Sequence, residues 1–201
     1  MLIAKTNYIR LLTATKFWTV YNRFKAGLWQ VSLGKNVVFC GKAVFHRAKE
    51  SHITIGDDCM LISDSNSRNL VGINRPCIIN TQSKGAVIEI GAGTGMSGTV
   101  ISARVGVKIG QNVKCGANTL IIDSDWHPED PRSGLPKPID IGDNVWLGAG
   151  VIVLKGVQIG VNTVIGANSV VTKSIPANVV AGGNPCKIIK SLIPEKATNT
   201  I

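Results

Sequence analysis

Residues 141–175 read IGDNVWLGAGVIVLKGVQIGVNTVIGANSVVTKSI, and one rule runs through them: positions 141, 147, 153, 159, 165 and 171 are Ile, Leu, Val, Ile, Ile and Val. The residue after each is Gly142, Gly148, Leu154, Gly160, Gly166 or Thr172. Four places on come Val145, Val151, Val157, Thr163, Ser169 and Ile175. A period of six cannot collect on one face of a helix of 3.6 residues per turn. It is even, so a strand period sets all these side chains on one side. Long flat strands are excluded by the fourth place of each hexad, which holds Asn112, Asn118, Asn144, Gly150, Gly156, Asn162 and Asn168. Gly and Asn are the residues that most readily adopt a left-handed backbone. Short strand, left-handed corner, short strand, repeated, describes an all-β triangular solenoid with three hexads per turn. Its coils pair like parallel strands about 4.8 Å apart.

The rule returns upstream in other phases: Ile109, Cys115 and Ile121; Ile90 and Met96; Ile55 and Leu61; Leu33 and Phe39. Two interruptions divide it. Between Ile121 and Ile141 the register slips by two across SDWHPEDPRSGLPKP, residues 124–138, where four of the eight prolines lie. Proline cannot donate to a ladder, so this segment is expected to leave the coil as a projecting loop. A second polar break covers 64–76. The expected organisation is a basic helical segment at 1–32, a solenoid domain at 33–186 with loops at 64–76 and 124–138, and a short C-terminal helix and tail at 187–201.

The net charge of +10 is uneven, because residues 1–50 hold nine Lys/Arg against the single acid Glu50, leaving a nearly balanced remainder. Nucleic-acid binding therefore lacks a footprint on the solenoid and has no supporting motif. The longest charge-free apolar run, Val145 to Leu154, is about half the roughly 20 residues a spanning helix requires. Cys40, Cys59, Cys77, Cys115 and Cys186 are scattered without a CxxC, which predicts buried free thiols and a reducing, cytoplasmic setting. No signal-peptide pattern is visible at the N-terminus. In residues 5–30, Ile9, Leu12, Phe17, Val20, Tyr21, Phe24 and Leu28 fall roughly on one helical face, with Arg10, Lys16, Arg23 and Lys25 mostly elsewhere. That face is expected to pack across the first coil and cap its open sheet edges. Peripheral contact with the inner face of a membrane is the alternative use of a basic amphipathic helix, and the two can coexist.

Of three histidines, His46 and His52 are read as structural. His127 stands in Asp123-Ser124-Asp125-Trp126-His127-Pro128, where the repeat hands over to the loop. Carboxylates at 123 and 125 could orient its imidazole and hold the tautomer a general base needs.

These hexads, with DSDWHP, IGDNVWLGAGVIVLKGVQIG and VIGANSVVTKSIPANVVAGGNPCKIIK, resemble the left-handed parallel β-helix acyltransferases. Within them the chain is most similar to the maltose and galactoside O-acetyltransferase branch and to the O-acetyltransferases of bacterial surface polysaccharides. The resemblance covers roughly residues 33–190 and is closest across 109–190. It implies a homotrimer with active sites between subunits, acetyl-CoA as co-substrate, no metal, and a sugar or polysaccharide-precursor acceptor. His127 takes the place of the base that activates the acceptor hydroxyl, and transfer is expected to be direct, because no Cys or Ser is paired with it by a visible motif. Trp146 matches the tryptophan beside the pantetheine arm. Gly148, Ala149, Gly166 and Ala167 match small positions where backbone nears the cofactor. Thr172 and Lys173 match a Thr-Lys pair that contacts it, and Lys187 and Lys190 fall where relatives are often basic, which suits phosphates. On the acceptor side stand Asp125 and Ser97, the latter where relatives carry a polar residue, often Asn.

The chain departs from the maltose branch by opening on a basic rather than an acidic segment, which favours a polysaccharide or lipid-linked acceptor over maltose. The alternatives on the same fold are an amino-sugar N-acyltransferase or a xenobiotic acetyltransferase. Further off lie a zinc lyase needing three converging histidines, and a non-catalytic solenoid.

Overall fold

The computed structural model describes residues 2–66 and 70–193, with side chains from Tyr8 onward. After one helix, α1 (Leu2–Leu28), the chain winds through three sheets that form the faces of a triangular prism. Sheet A carries β1 (Ser32–Leu33), β4 (His52–Ile55), β7 (Val87–Ile90), β10 (Gly106–Ile109), β13 (Ile139–Ile141) and β16 (Gln158–Ile159). Sheet B carries β2 (Val38–Cys40), β5 (Met60–Ile62), β8 (Gly95–Ser97), β11 (Lys114–Cys115), β14 (Trp146–Leu147), β17 (Val164–Ile165), β19 (Val179–Gly182) and β20 (Lys187–Ser191). Sheet C carries β3 (Val44–His46), β6 (Ile78–Thr81), β9 (Val100–Ala103), β12 (Leu120–Ile122), β15 (Ile152–Val153) and β18 (Val170–Val171). Through β18 every third strand is a parallel neighbour; β19 then pairs in parallel with β17, two strands back, and antiparallel with β20. This is a left-handed parallel β-helix.

The hexads account for the coil residue by residue. Ile141, Leu147, Val153, Ile159, Ile165 and Val171 are all buried, as are Val145, Val151, Val157, Thr163, Ser169 and Ile175, so both sets fill one continuous core. All seven fourth-place residues, from Asn112 (φ 54) to Asn168 (φ 58), turn through the left-handed region. The glycine after the inward residue answers a different need. A Cβ on Gly148 would lie 2.6 Å from the backbone N of Ala167, and one on Gly142 2.8 Å from that of Val161. Neighbouring coils touch backbone to backbone there, and only glycine admits the contact. Between turns the register is fixed, with Asp140 opposite Gln158, Trp146 opposite Val164 and Ile152 opposite Val170, so like positions stack in columns.

Both ends depart from expectation. At the N-terminus α1 does lie against β1 and β2, but not through the apolar face read from the sequence. Its inward residues are Asn22 and Ala26, both buried. The Asn22 amide donates to Gly41 O at 2.9 Å and accepts from Ala43 N at 3.0 Å, and Phe39 N donates to Thr19 Oγ1 at 3.1 Å. Open strand-edge groups of the first coil want hydrogen-bond partners, so polar side chains take the inner face. Ile9, Phe17, Val20, Phe24 and Leu28 are left exposed. The helix stops with Gln30 left-handed (φ 53), Gln30 N bonding Gly27 O and Val31 N bonding Ala26 O, while Val31 and Ala26 are both buried. This is the 5→2 and 6→1 pattern of a Schellman end with its apolar contact.

At the C-terminus the expected helix is replaced, over its first residues, by strand β20. Gly182-Gly183 reverses the chain, with Gly183 at φ 102, and the β-branched pair in Lys187-Ile188-Ile189-Lys190 suits the open edge that β19 presents. The rest of that expected helix, from residue 194, lies outside the described residues. Strand β5 is followed by irregular backbone at 63–66 and again at 70–77 before β6, and β12 by irregular backbone until β13. All five cysteines are buried and free.

Candidate active site

The His127 segment leaves the prism at the edge between sheets C and A, and its mouth is stitched shut. Lys137 N donates to Asp123 O at 3.0 Å, and Gly156 N, one coil on, donates to Lys137 O at 3.0 Å. Beneath it sits Asp123, fully buried, whose carboxylate accepts from the backbone N–H groups of Arg104 (2.7 Å), Val105 (2.7 Å) and Gly106 (2.8 Å). Asp125 accepts from Lys155 Nζ in a short ion pair and from Gly134 N at 3.2 Å, and Lys155 holds its carboxyl below the usual range. Both carboxylates expected to orient the imidazole are therefore spent on holding the loop. The reason lies in the neighbouring coils: the turn at 104–106 presents backbone N–H groups that need an acceptor, and Lys155 of the next coil reaches the root of the loop.

The partner of the imidazole is Glu129, whose Oε1 lies 3.1 Å from His127 Nδ1, with both side chains 73% exposed. Hydrogen bonds from its own backbone N–H and from His127 hold the Glu129 carboxyl below its usual value. A carboxylate on Nδ1 favours the tautomer that leaves Nε2 as an acceptor towards solvent. Just before it, Trp126 is half-exposed at φ 67. A left-handed backbone at a bulky residue costs about 1–2 kcal/mol, strain held by the ties at Asp123 and Asp125.

A hollow of about 80 Å³ lies under the loop, lined by Arg104, Ser124, Trp126, His127, Ser133 and Leu135 among others. That is room for roughly two or three waters, not for a sugar. Two polar atoms are buried there without a hydrogen-bond partner among the described residues, Ser124 Oγ and Arg104 Nε. Neither was singled out by sequence reasoning, nor were Glu129 and Lys155. The coil period carried a signal for Lys155, since it lies one turn beyond Lys137 and must stack on the root of the loop. A wider groove, about 510 Å³, lies instead on sheet A between Glu89, Lys108, Asp140 and Gln158. It gathers none of the site residues singled out from the sequence.

The expected cofactor residues divide between two edges. Trp146 stands half-exposed on the outer face of sheet B, with Lys114 Nζ 6.0 Å from its ring centroid. Beyond it, at the edge between sheets B and C, Gly148 and Ala149 stack under Gly166 and Ala167 in the next coil. Ser97, nearly buried, ends β8 at that edge. Thr172 and Lys173 are exposed at the C–A edge, two coils along from the His127 loop. Lys187 and Lys190 are exposed on β20, at the end of sheet B. Within one protomer the width of sheet C separates His127, Thr172 and Lys173 from Gly148, Ala149, Gly166 and Ala167. Steric room distinguishes two of the glycines. A Cβ on Gly166 would meet nothing closer than 3.6 Å, so the coil itself tolerates a side chain there, whereas at Gly148 it does not. The small residue at 166 fits a ligand lying along the edge. No three His, Cys, Asp or Glu side chains converge on a metal-sized site among the described residues.

Comparison with known proteins agrees with this architecture. Residues 138–173 match the bacterial transferase hexapeptide (six repeats) family. Over 89 residues the chain is 51% identical to a galactoside O-acetyltransferase of Lactococcus lactis subsp. lactis, a match covering 42% of each. The chain spans half or less of the length of the first curated relatives it matches. Among solved structures, a maltose O-acetyltransferase from Clostridium difficile 630 is 27% identical with a TM-score of 0.51, over 92% of this chain and 89% of that one. An N-acyltransferase from Bacillus cereus, solved with dTDP and coenzyme A, shares the fold at a TM-score of 0.60 and 22% identity, over 80% of this chain and 83% of that one.

Proposed function

We propose, for a chain that carries the hexapeptide repeats of a bacterial transferase family, that it transfers an acetyl group from acetyl-CoA to a hydroxyl of a sugar or polysaccharide precursor. His127 is the general base. The observation that carries this reading is an exposed imidazole whose Nδ1 is engaged by Glu129, at the root of a tied loop, leaving Nε2 free to accept a proton. In this mechanism Nε2 takes the proton of the acceptor O–H as that oxygen attacks the thioester carbonyl. The C–O bond forms, the C–S bond breaks, and the CoA thiolate leaves, recovering the proton from the imidazolium. Backbone N–H groups at a coil edge are the natural stabilisers of the developing oxyanion. No acyl-enzyme is called for, because every cysteine is buried and, among the described residues, no serine hydroxyl is hydrogen-bonded to the imidazole.

The split of site residues over two prism edges supports a homotrimer with its sites between subunits. The His127 loop of one protomer would face the Gly148–Gly166 edge of its neighbour, and the neighbour would complete the hollow that is too small for a sugar. Trp146, Gly166 and Ala167 would flank the pantetheine arm, with Thr172, Lys173, Lys187 and Lys190 available to its phosphates. Arg104 and Ser124 bring unused hydrogen-bonding capacity to the acceptor. Five buried thiols without a disulfide suit a cytoplasmic protein.

The test is thiol release from acetyl-CoA across a panel of sugar hydroxyl and amino-sugar acceptors. A hydroxyl acceptor should turn over, and His127→Ala should lower kcat by about 10²–10⁴-fold while CoA binding persists. Turnover with amino acceptors alone, or activity retained in His127→Ala, would refute the assignment.

A further inference from the structure

The outer face of α1 has no partner in the fold. Phe17, Val20, Phe24 and Leu28 recur at intervals of three and four residues and are 61–70% exposed, and Ile9 continues the stripe towards the N-terminus at 55%. The opposite face is committed to the first coil through Thr19, Asn22 and Ala26. Large apolar side chains aligned on the water-facing side of a helix mark an interaction surface. The charges around them indicate what covers it. No acid occurs anywhere in the helix, whereas Arg10, Lys16 and Arg23 are exposed on its flanks. Lys35, Lys42 and Lys49 are exposed on the coil beside it, and the first acid of the chain is Glu50.

A second copy of the helix is a poor occupant. Face-to-face packing would bring Arg10, Lys16 and Arg23 against the same residues of the other copy, with no carboxylate to offset them. A span is excluded too, since no helix among the described residues is long and apolar enough to cross a membrane. Apolar residues in the middle and cations on the flanks, with no acid in the helix itself and the carboxylates of Asp57, Asp58 and Asp64 confined to the coil, match a surface that is apolar within and negative at its rim. We infer that α1 lies flat on an anionic lipid bilayer, its Phe17–Val20–Phe24–Leu28 stripe in the acyl boundary and its Lys and Arg side chains among the headgroups. The polar inner contacts keep the helix attached to the coil, so it delivers the solenoid to the membrane as one body. This holds whether or not His127 activates a hydroxyl.

The experiment is flotation of the full chain with unilamellar vesicles of phosphatidylcholine alone or with 30 mol% phosphatidylglycerol. At low salt the chain should float with the anionic vesicles at least tenfold more than with the neutral ones, and less at high salt, as screening requires. The triple variant Phe17→Ser/Val20→Ser/Phe24→Ser should lose at least tenfold in binding with its melting temperature unchanged, because those side chains touch solvent. Arg10→Gln/Lys16→Gln should weaken binding selectively to the anionic vesicles. Absence of flotation, or equal flotation of the triple variant, overturns the inference. A fall in oligomeric mass of the triple variant by light scattering also overturns it, since a second copy would then cover the face.

Discussion

Replacing Asp123 separates two roles that its position beside the histidine segment allows. If it oriented the imidazole, Asp123→Asn would spare stability and reduce turnover alone. The structure instead gives it three backbone N–H donors at 2.7–2.8 Å in a fully buried position. Hydrogen bonds to a charged acceptor contribute about 1.5–3 kcal/mol each. The three are not additive, and the turn they hold reaches water at Val105, which is 44% exposed. A net loss of about 3–5 kcal/mol follows once that discount is made. Asparagine keeps one acceptor oxygen but turns an NH₂ towards donors, so it should fare little better than alanine. For a chain of this size the loss corresponds to roughly 6–20 °C in melting temperature. Differential scanning fluorimetry of Asp123→Asn and Asp123→Ala at pH 7 and fixed protein concentration measures it. An unchanged melting temperature with lost turnover would refute the structural assignment and restore Asp123 to the imidazole.

Gly148→Ala should lower the melting temperature by several degrees, because its Cβ would strike the Ala167 backbone, whereas Gly166→Ala should leave it unchanged and raise the KM for acetyl-CoA; the opposite pattern in melting curves and kinetics would overturn the edge assignment. Mixed oligomers of His127→Ala and Gly166→Trp should recover part of the activity that each lacks alone, which a site confined to one protomer forbids. The Asp125 carboxyl is depressed by Lys155 when folded, so the tie is fully present above the usual value of 3.8 and is lost as pH falls through the depressed one. Amide exchange at Gly134, corrected for intrinsic rate, should therefore hold steady from pH 8 to about 5 and rise only below about 4, whereas Lys155→Met should raise it already at pH 7. Burial pushes Cys115 up to about 12 and raises Cys59, Cys77 and Cys186 as well, so Ellman's reagent at pH 8 should titrate none of these four thiols in the native protein and all of them in denaturant.

The core of the coil was legible because its information is periodic. Ile141 and Ile159 occupy equivalent places one turn apart, so each inward residue meets the same surroundings and each corner asks for the same backbone. Short apolar residues and Asn or Gly at fixed offsets suffice to state this. The two non-periodic regions were legible only in outline. Sequence spacing grouped Phe17, Val20 and Phe24 on the face expected to pack, but an apolar stripe alone does not reveal whether it meets the coil. That was decided by strand-edge groups at Phe39, Gly41 and Ala43, which drew Thr19 and Asn22 inward.

His127 stands out by its place at the break in the repeat. Its partner could not be read there, because four nearby acids compete, Asp130 being held by Arg132, and the choice depends on where the backbone of a neighbouring strand leaves its N–H groups. Asp123 is taken by the turn at 104–106, Asp125 by Lys155 from the next coil, and Glu129 remains for the imidazole. The repeat alone therefore specified the solenoid, its corners and the place where the loop carrying His127 leaves it. Only the tertiary structure decided which face of α1 stays open, which acid serves the histidine, and that the candidate site residues lie on two edges of the prism. Those outcomes rest on contacts between segments that no period relates.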